Sequence, residues 1–411
     1  MTIVLNTLDA SDASDKICAI VSKEEKEVEV INTSDMKIAH CIGCNQCWLK
    51  TPGVCAIKDD YEEIVKKLVQ ASNLWIVSDT HFGFLNHRGK QVLDRLMPIL
   101  NMYIQFRDGW MRHQLRYHSL NVGVIYKGCG DQQLLEEWCE RTSQNLGGHS
   151  LGAIAIDAGD HLKRPDKGRN TILSIEPMTH VVIINGSPRT RKHSNTDKII
   201  QSFAKGLEEN DITYELYSLS SRKEWDAARE AFITHNRIIF ALPLYVECVP
   251  SLMLEFLESL PTERQRPAVL SFILHGGFDE GHQLRLGERF LMSLPEQLGC
   301  IYGGCLVRGG SFMIRMRDDK KLEKMVEKML TSYTTMGRSF AHSGNFQTSE
   351  AKKFTGAERY PWLLRQLFGL ILKGVVKKRF EYFAKQWGCT RPLDDKVYLL
   401  SNEASGVKNS G

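Results

Sequence analysis

Short apolar, β-branched runs recur along the first part of the chain at Thr2–Asn6, Glu27–Ile31, Leu74–Val77, Val122–Tyr126 and Leu151–Ile156. Between them, apolar positions return at helical steps around Tyr61–Ala71, Lys90–Leu100 and Gln132–Asn145. Buried-strand runs alternating with amphipathic helices predict right-handed βαβ units and a parallel sheet covered on both faces. The polar, proline-containing stretch from Asp157 to Pro177 carries Lys163, Arg164, Lys167 and Arg169 and places a linker at 161–178. The plan then repeats. Strands are expected at His180–Asn185, Ile212–Ser218, Arg237–Leu242, Ala268–Leu274 and Cys300–Val307. Helices are expected at Thr196–Leu207, Lys223–Thr234, Pro250–Leu260 and Gln283–Leu298. The pattern predicts an α/β chain with two doubly wound, five-stranded parallel sheets in tandem, over 1–160 and 179–345. A helical extension is expected over 346–411. Its stretch Tyr360–Tyr382 is strongly apolar and ends in Lys377, Lys378 and Arg379. That suits a membrane surface, although packing over the second domain or a partner is the plainer expectation. The small polar residues Asn402 to Gly411 read as a frayed end.

The most informative stretch is Ile183-Ile184-Asn185-Gly186-Ser187-Pro188-Arg189-Thr190-Arg191-Lys192-His193-Ser194-Asn195-Thr196. A strand, a hydroxyl-rich basic loop and a helix N-terminus make a site for a phosphate, because N–H groups and the helix dipole both favour an anion there. An ordinary capped βα turn would look similar. Two further loops leave the same edge of a doubly wound sheet, where ligands bind at the reversal of strand order. One is Pro243-Leu244-Tyr245-Val246; the other is His275-Gly276-Gly277-Phe278. A proline–aromatic loop and a Gly-Gly loop can wall a flat ring, though Tyr245 alone reads equally well as a core aromatic.

Taken together, the three loops resemble the flavodoxin-like NADPH-dependent FMN reductases over roughly Val181 to Gly277. That resemblance implies FMN phosphate held by Ser187, Arg189, Ser194, Asn195 and Thr196, with Pro243, Leu244, Tyr245, Val246, Gly276 and Gly277 around the isoalloxazine. It further implies reduction by NADH or NADPH and no obligatory acid–base side chain. Arg189, Arg191 and Lys192 are available to either phosphate or to solvent.

The first half carries Cys41-Ile42-Gly43-Cys44-Asn45-Gln46-Cys47 and then Cys55, a C-x2-C-x2-C-x7-C spacing. Four convergent thiolates suit a [4Fe–4S] cluster, or a zinc, or remain free thiols. The string resembles the iron-sulfur flavoproteins of the same flavodoxin-like group. Asp59-Asp60-Tyr61-Glu62 is expected to cap the next helix. After strand one, Asp9, Asp12 and Asp15 stand where Gly-Ser-Pro-Arg would be needed, and after strand three the proline is missing. No FMN is therefore expected in this half.

The duplicated halves suggest a homodimer or an internal pseudo-dimer setting the thiols beside the flavin. The implied activity is an FMN-dependent NAD(P)H oxidoreductase serving an unspecified electron acceptor. A non-enzymatic redox or metal sensor using the cysteines is the alternative. Composition changes little in this picture. Among 411 residues, 42% are hydrophobic and 25% charged, with a formal charge of +4 that gives no case for nucleic acid. The N-terminus lacks signal-peptide character, no run is long enough to span a membrane, and eleven cysteines without a secretory signal fit a reducing cytoplasm.

Overall fold

The computed structural model describes residues 1–9, 17, 20–21, 27–156, 178–262, 264, 267–315 and 320–398. Asp12, Asp15, the 161–177 part of the expected linker and the Asn402–Gly411 tail lie outside them. Two compact units emerge: Met1–Thr80 with Arg88–Asp160 and Pro361–Gly411, and His81–His87 with His161–Tyr360.

In the first unit, β1 (Thr2–Asn6), β2 (Val28–Asn32) and β3 (Asn73–His81) are followed by β4 (Leu100–Arg107) and β5 (Trp110–Leu115). Then come β6 (Leu120–Lys127) and β7 (Gly147–Ala155). The parallel sheet runs β2-β1-β3-β6-β7. In the second unit, β8 (His180–Asn185), β9 (Thr213–Ser218), β10 (Arg237–Pro243), β11 (Val269–His275) and β12 (Ile301–Arg308) run β9-β8-β10-β11-β12, again all parallel. Both units thus have the flavodoxin-like 2-1-3-4-5 order, with the reversal beside the first strand. A small detail repeats as well. Asn6 and Asn185 each end a first strand and accept the backbone N–H two residues on, at 3.1 and 3.0 Å.

The second sheet is buried on both faces, which is why its strands read as unbroken apolar runs. One face packs Val181, Ile183, Ile239 and Ile273 against Phe203, Tyr333, Phe340 and Phe354. On the other lies an aromatic group of Phe232, Phe240, Phe256 and Phe272. The helices Asn195–Glu208 and Lys320–Ser343 cross backbone to backbone, since a Cβ on Gly206 would lie 2.1 Å from the Thr334 carbonyl oxygen.

Two expectations are corrected. The amphipathic stretch Lys90–Leu100 splits into a helix, His87–Asp94, and a 3-10 turn, Met97–Ile99, before the antiparallel hairpin β4–β5 begins. The hairpin signal was the Asp108-Gly109 pair, whose φ angles of 56° and 78° make the left-handed turn that such strands favour. The C-terminal helices Trp362–Ile371 and Lys377–Gln386 join the first unit rather than the second. Tyr103 Oη donates to Glu381 at 3.0 Å and Arg365 to the Gly109 carbonyl at 2.9 Å. No described helix is long and apolar enough to cross a membrane.

Candidate functional site

At the carboxyl edge of the second sheet, the loops after β8, β10 and β11 flank the reversal of strand order. Gly186 is needed at the first turn, because a Cβ there would press on Met253 Sδ at 2.9 Å. Ser187 is buried, and its N–H donates to Asn185 Oδ1. Its hydroxyl oxygen accepts from the Arg189 N–H at 3.2 Å, which leaves the hydroxyl proton for a ligand. Ser194 caps the helix Asn195–Glu208 by accepting from the Asp197 N–H at 3.2 Å. The Asn195 and Thr196 N–H groups stand in the first turn, where no intrahelical acceptor exists.

Thr196 is placed differently from a simple phosphate donor. Ser311 gives its one hydroxyl proton to the Gly276 carbonyl at 2.8 Å, so it can only accept from His275 Nδ1, also at 2.8 Å. The imidazole is therefore protonated on Nδ1, and its Nε2 accepts the Thr196 hydroxyl proton at 2.8 Å. Thr196 offers a ligand its backbone N–H, not its hydroxyl. Burial pushes the His275 pKa down to about 3, so the ring stays neutral. Asn195 Nδ2 adds a 2.8 Å bond to the Ser311 carbonyl, and its Oδ1 is a buried acceptor without a protein partner. His275 and Ser311 thus lock the phosphate loop to the Gly-Gly loop.

The loop after β10 is strained. Leu244 N–H bonds the His275 carbonyl at 2.8 Å, while Tyr245 and Cys248 exchange two backbone bonds around Val246 and Glu247. Those two residues have φ of 42° and 62°, costly for a β-branched valine at roughly 1–3 kcal/mol. Leu244, Tyr245 and Val246 remain partly exposed beside buried Pro243. A Cβ on Gly277 would meet only Phe312, at 3.9 Å, so this edge has room. Arg191 is tied to Glu224 and the Leu216 carbonyl at 2.8 and 2.7 Å.

In the first unit, Gly43 and Asn45 take left-handed φ of 59° and 60° and wrap the chain about Cys44. A helical turn, Gln46–Leu49, carries Cys47, and Gly53 (φ 81°) turns the chain back, its N–H on the Cys47 carbonyl at 2.9 Å. Burial raises the Cys41 thiol to about 12 and Cys47 well above its ordinary value; Cys41, Cys55 and Cys44 push Cys47 further. The four cysteines therefore share one locality.

Asp59 does more than cap a helix. Its carboxylate forks onto Arg95 at 2.7 and 2.8 Å and accepts the Ala39 N–H at 2.9 Å, holding the strand of chain that leads to Cys41. Asp60 makes no side-chain cap; it accepts the Lys37 N–H at 2.7 Å. Arg116 returns from the hairpin, is buried, and donates to the carbonyls of Pro98, Leu100 and Asp395. Burial pulls its pKa down while Tyr117, Cys47, Asp394 and Asp395 act to hold it up, and an anionic centre on the cysteines would add to that support. Arg116 carries no local signal in the sequence, and His275 reads there only as the start of the Gly-Gly loop, because their partners lie far along the chain.

Residues 179–285 match the profile of the NADPH-dependent FMN reductases. Over that segment the chain is similar to this family. An iron-sulfur flavoprotein of Methanocaldococcus jannaschii is 37% identical over 79 residues, 19% of this chain and 40% of the relative. One from Archaeoglobus fulgidus is 36% identical over 75 residues, 18% of this chain and 36% of its own length. The matched stretch thus spans well under half of either relative. Among solved structures, the NAD(P)H:quinone oxidoreductase from Methanothermobacter marburgensis overlaps 40% of this chain and 98% of its own, with a TM-score of 0.32 and 17% identity. At that level the overlap carries no argument about function.

Proposed function

We propose that the chain is an FMN-dependent oxidoreductase drawing on NADH or NADPH, with an iron–sulfur cluster on Cys41, Cys44, Cys47 and Cys55 and a separate electron acceptor. The observation that carries this is the phosphate cradle of the second unit, with one uncommitted hydroxyl and first-turn N–H groups at the strand-order reversal. Bound FMN supplies a ring that accepts a hydride and passes electrons on. Ser187 and the Asn195 and Thr196 N–H groups hold its phosphate, and Arg189 adds positive charge. The strained Tyr245–Cys248 turn offers the ring a face and the Gly276-Gly277 loop leaves it space.

Four thiolates around a cluster or a zinc ion carry net negative charge, which the buried Arg116 guanidinium acting on Cys47 would offset in either case. The iron-sulfur flavoproteins among the relatives favour the cluster.

The test is composition after anaerobic purification. Wild type is expected to hold FMN, iron and acid-labile sulfide. Ser187→Asp should lose FMN yet keep iron, and Cys44→Ser should lose iron yet keep FMN, both with near-wild-type melting of the other unit. A wild-type protein that is colourless and takes up no added FMN would refute the reading.

A further inference from the structure

At the opposite end of the second sheet, the amino-terminal edge gathers His180, Glu215 and His235. We propose that these three residues form a divalent metal site, zinc by the nature of its ligands, that ties together the starts of β9, β8 and β10.

The topology supplies the cluster. His180 opens β8, Glu215 lies early in β9, and His235 stands between the helix Trp225–Thr234 and β10. Strand order β9-β8-β10 sets the three side by side. One ligand atom from each lies within 4.8 Å of the other two, and His180 Nε2 is 3.7 Å from Glu215 Oε1. The two imidazoles lie 5.2 Å apart, centre to centre.

Hydrogen bonds around the cluster fix which atoms face inward. Thr213 gives its hydroxyl proton to the Thr179 carbonyl at 3.1 Å, so at 2.8 Å it accepts from His180 Nδ1. His235 Nδ1 lies 3.1 Å from the Ala231 carbonyl, which can only accept. Both rings are therefore protonated on Nδ1 and turn an Nε2 lone pair elsewhere, the arrangement that outer partners impose on metal-binding histidines. Tyr217 Oη donates to Glu215 Oε2 at 2.5 Å, leaving Oε1 for the cluster. His180 Nε2 is buried and has no hydrogen-bond partner. An orphaned buried lone pair beside a carboxylate and a second imidazole is a poor arrangement without a cation.

Two imidazoles and a carboxylate are a familiar zinc set, with a fourth position for water. Zn–N bonds of about 2.0–2.1 Å would place ligand atoms roughly 3.3 Å apart, so the His180–Glu215 gap closes by a few tenths of an ångström. The site stands about six residues of strand from the phosphate loop, on the order of 20 Å. Its role is thus structural and independent of the flavin.

Cobalt separates this site from the thiols. Titrating the full-length Cys44→Ser variant with Co2+ should still give visible d–d bands, separate from any sulfur-to-cobalt charge-transfer band of the remaining thiols. His235→Ala and Glu215→Gln should weaken those bands' apparent affinity at least 10–100-fold. Zinc should raise the melting temperature of wild type but not of His235→Ala. Since both variants alter partly exposed side chains, melting in EDTA should match wild type. Cobalt bands unchanged in His235→Ala, or cobalt seen only through thiolate charge transfer, would overturn the proposal.

Discussion

Replacing His275 by alanine tests the hydrogen-bond chain that joins the phosphate loop to the Gly-Gly loop. The ring makes two buried bonds, to Thr196 and Ser311. Each contributes about 0.5–1.5 kcal/mol, and stranding the Thr196 hydroxyl adds about 1–3 kcal/mol. With the cavity, the second unit should lose about 3–5 kcal/mol at neutral pH. The pH dependence is the sharper signature. Unfolded, the imidazole titrates near 6.5; folded, it titrates at about 3. Between those values the unfolded chain holds more protons, so stability rises with pH and is lost as pH falls. From pH 6.5 to 4.5 that loss comes to about 2 kcal/mol for His275 alone. His180 is shifted the same way, but it remains in both proteins and cancels in the difference. Urea midpoints followed from pH 6.5 to 4.5 should therefore fall less steeply in His275→Ala than in wild type. Parallel curves would refute the neutral, Nδ1-protonated ring. A cycle with Thr196→Val adds a check, with coupling of at least about 0.5 kcal/mol expected between the two positions.

Other expectations follow from the same geometry. Ser187→Ala should weaken FMN binding by about 1.5–3 kcal/mol, roughly 10- to 150-fold, while Thr196→Val should weaken it much less at equal foldedness, measured by fluorescence titration. Gly206→Ala drives a methyl into the Thr334 carbonyl and should cost about 3 kcal/mol or more, seen as a melting temperature lower by roughly 10 °C. Arg116→Gln removes a buried cation beside Cys47 and should make a cluster there harder to reduce. Each 1.4 kcal/mol of lost interaction would lower its one-electron potential by about 59 mV, read by anaerobic potentiometry.

The apolar runs made the sheets legible, because strands buried on both faces leave little room for polar residues. Val181–Ile184 and Ile238–Leu242 could be read as strands from composition alone. Local geometry of the candidate site was legible, as in the turn at Gly186-Ser187-Pro188 and the helix that Ser194 caps. The site was illegible where a side chain acts across the fold. His275 read as part of a loop, yet it ends β11 and binds Thr196, 79 positions away. Arg116 reached the cysteine loop through a hairpin hidden behind a helical pattern at Lys90–Leu100. The destination of Trp362–Ile371 had no local signal either, since an amphipathic helix does not say which surface it covers. His180, Glu215 and His235 are too far apart in sequence to suggest a shared centre.

The central claim is that a flavin on the second unit and a cluster on the cysteines form one electron path. Anaerobic titration of the full chain with NADPH, followed in the visible spectrum, tests it most directly. The account predicts loss of the flavin bands and then of a broad cluster shoulder, with Cys44→Ser losing the shoulder alone. Flavin bands that bleach while the shoulder never does, or a protein with neither, would contradict it.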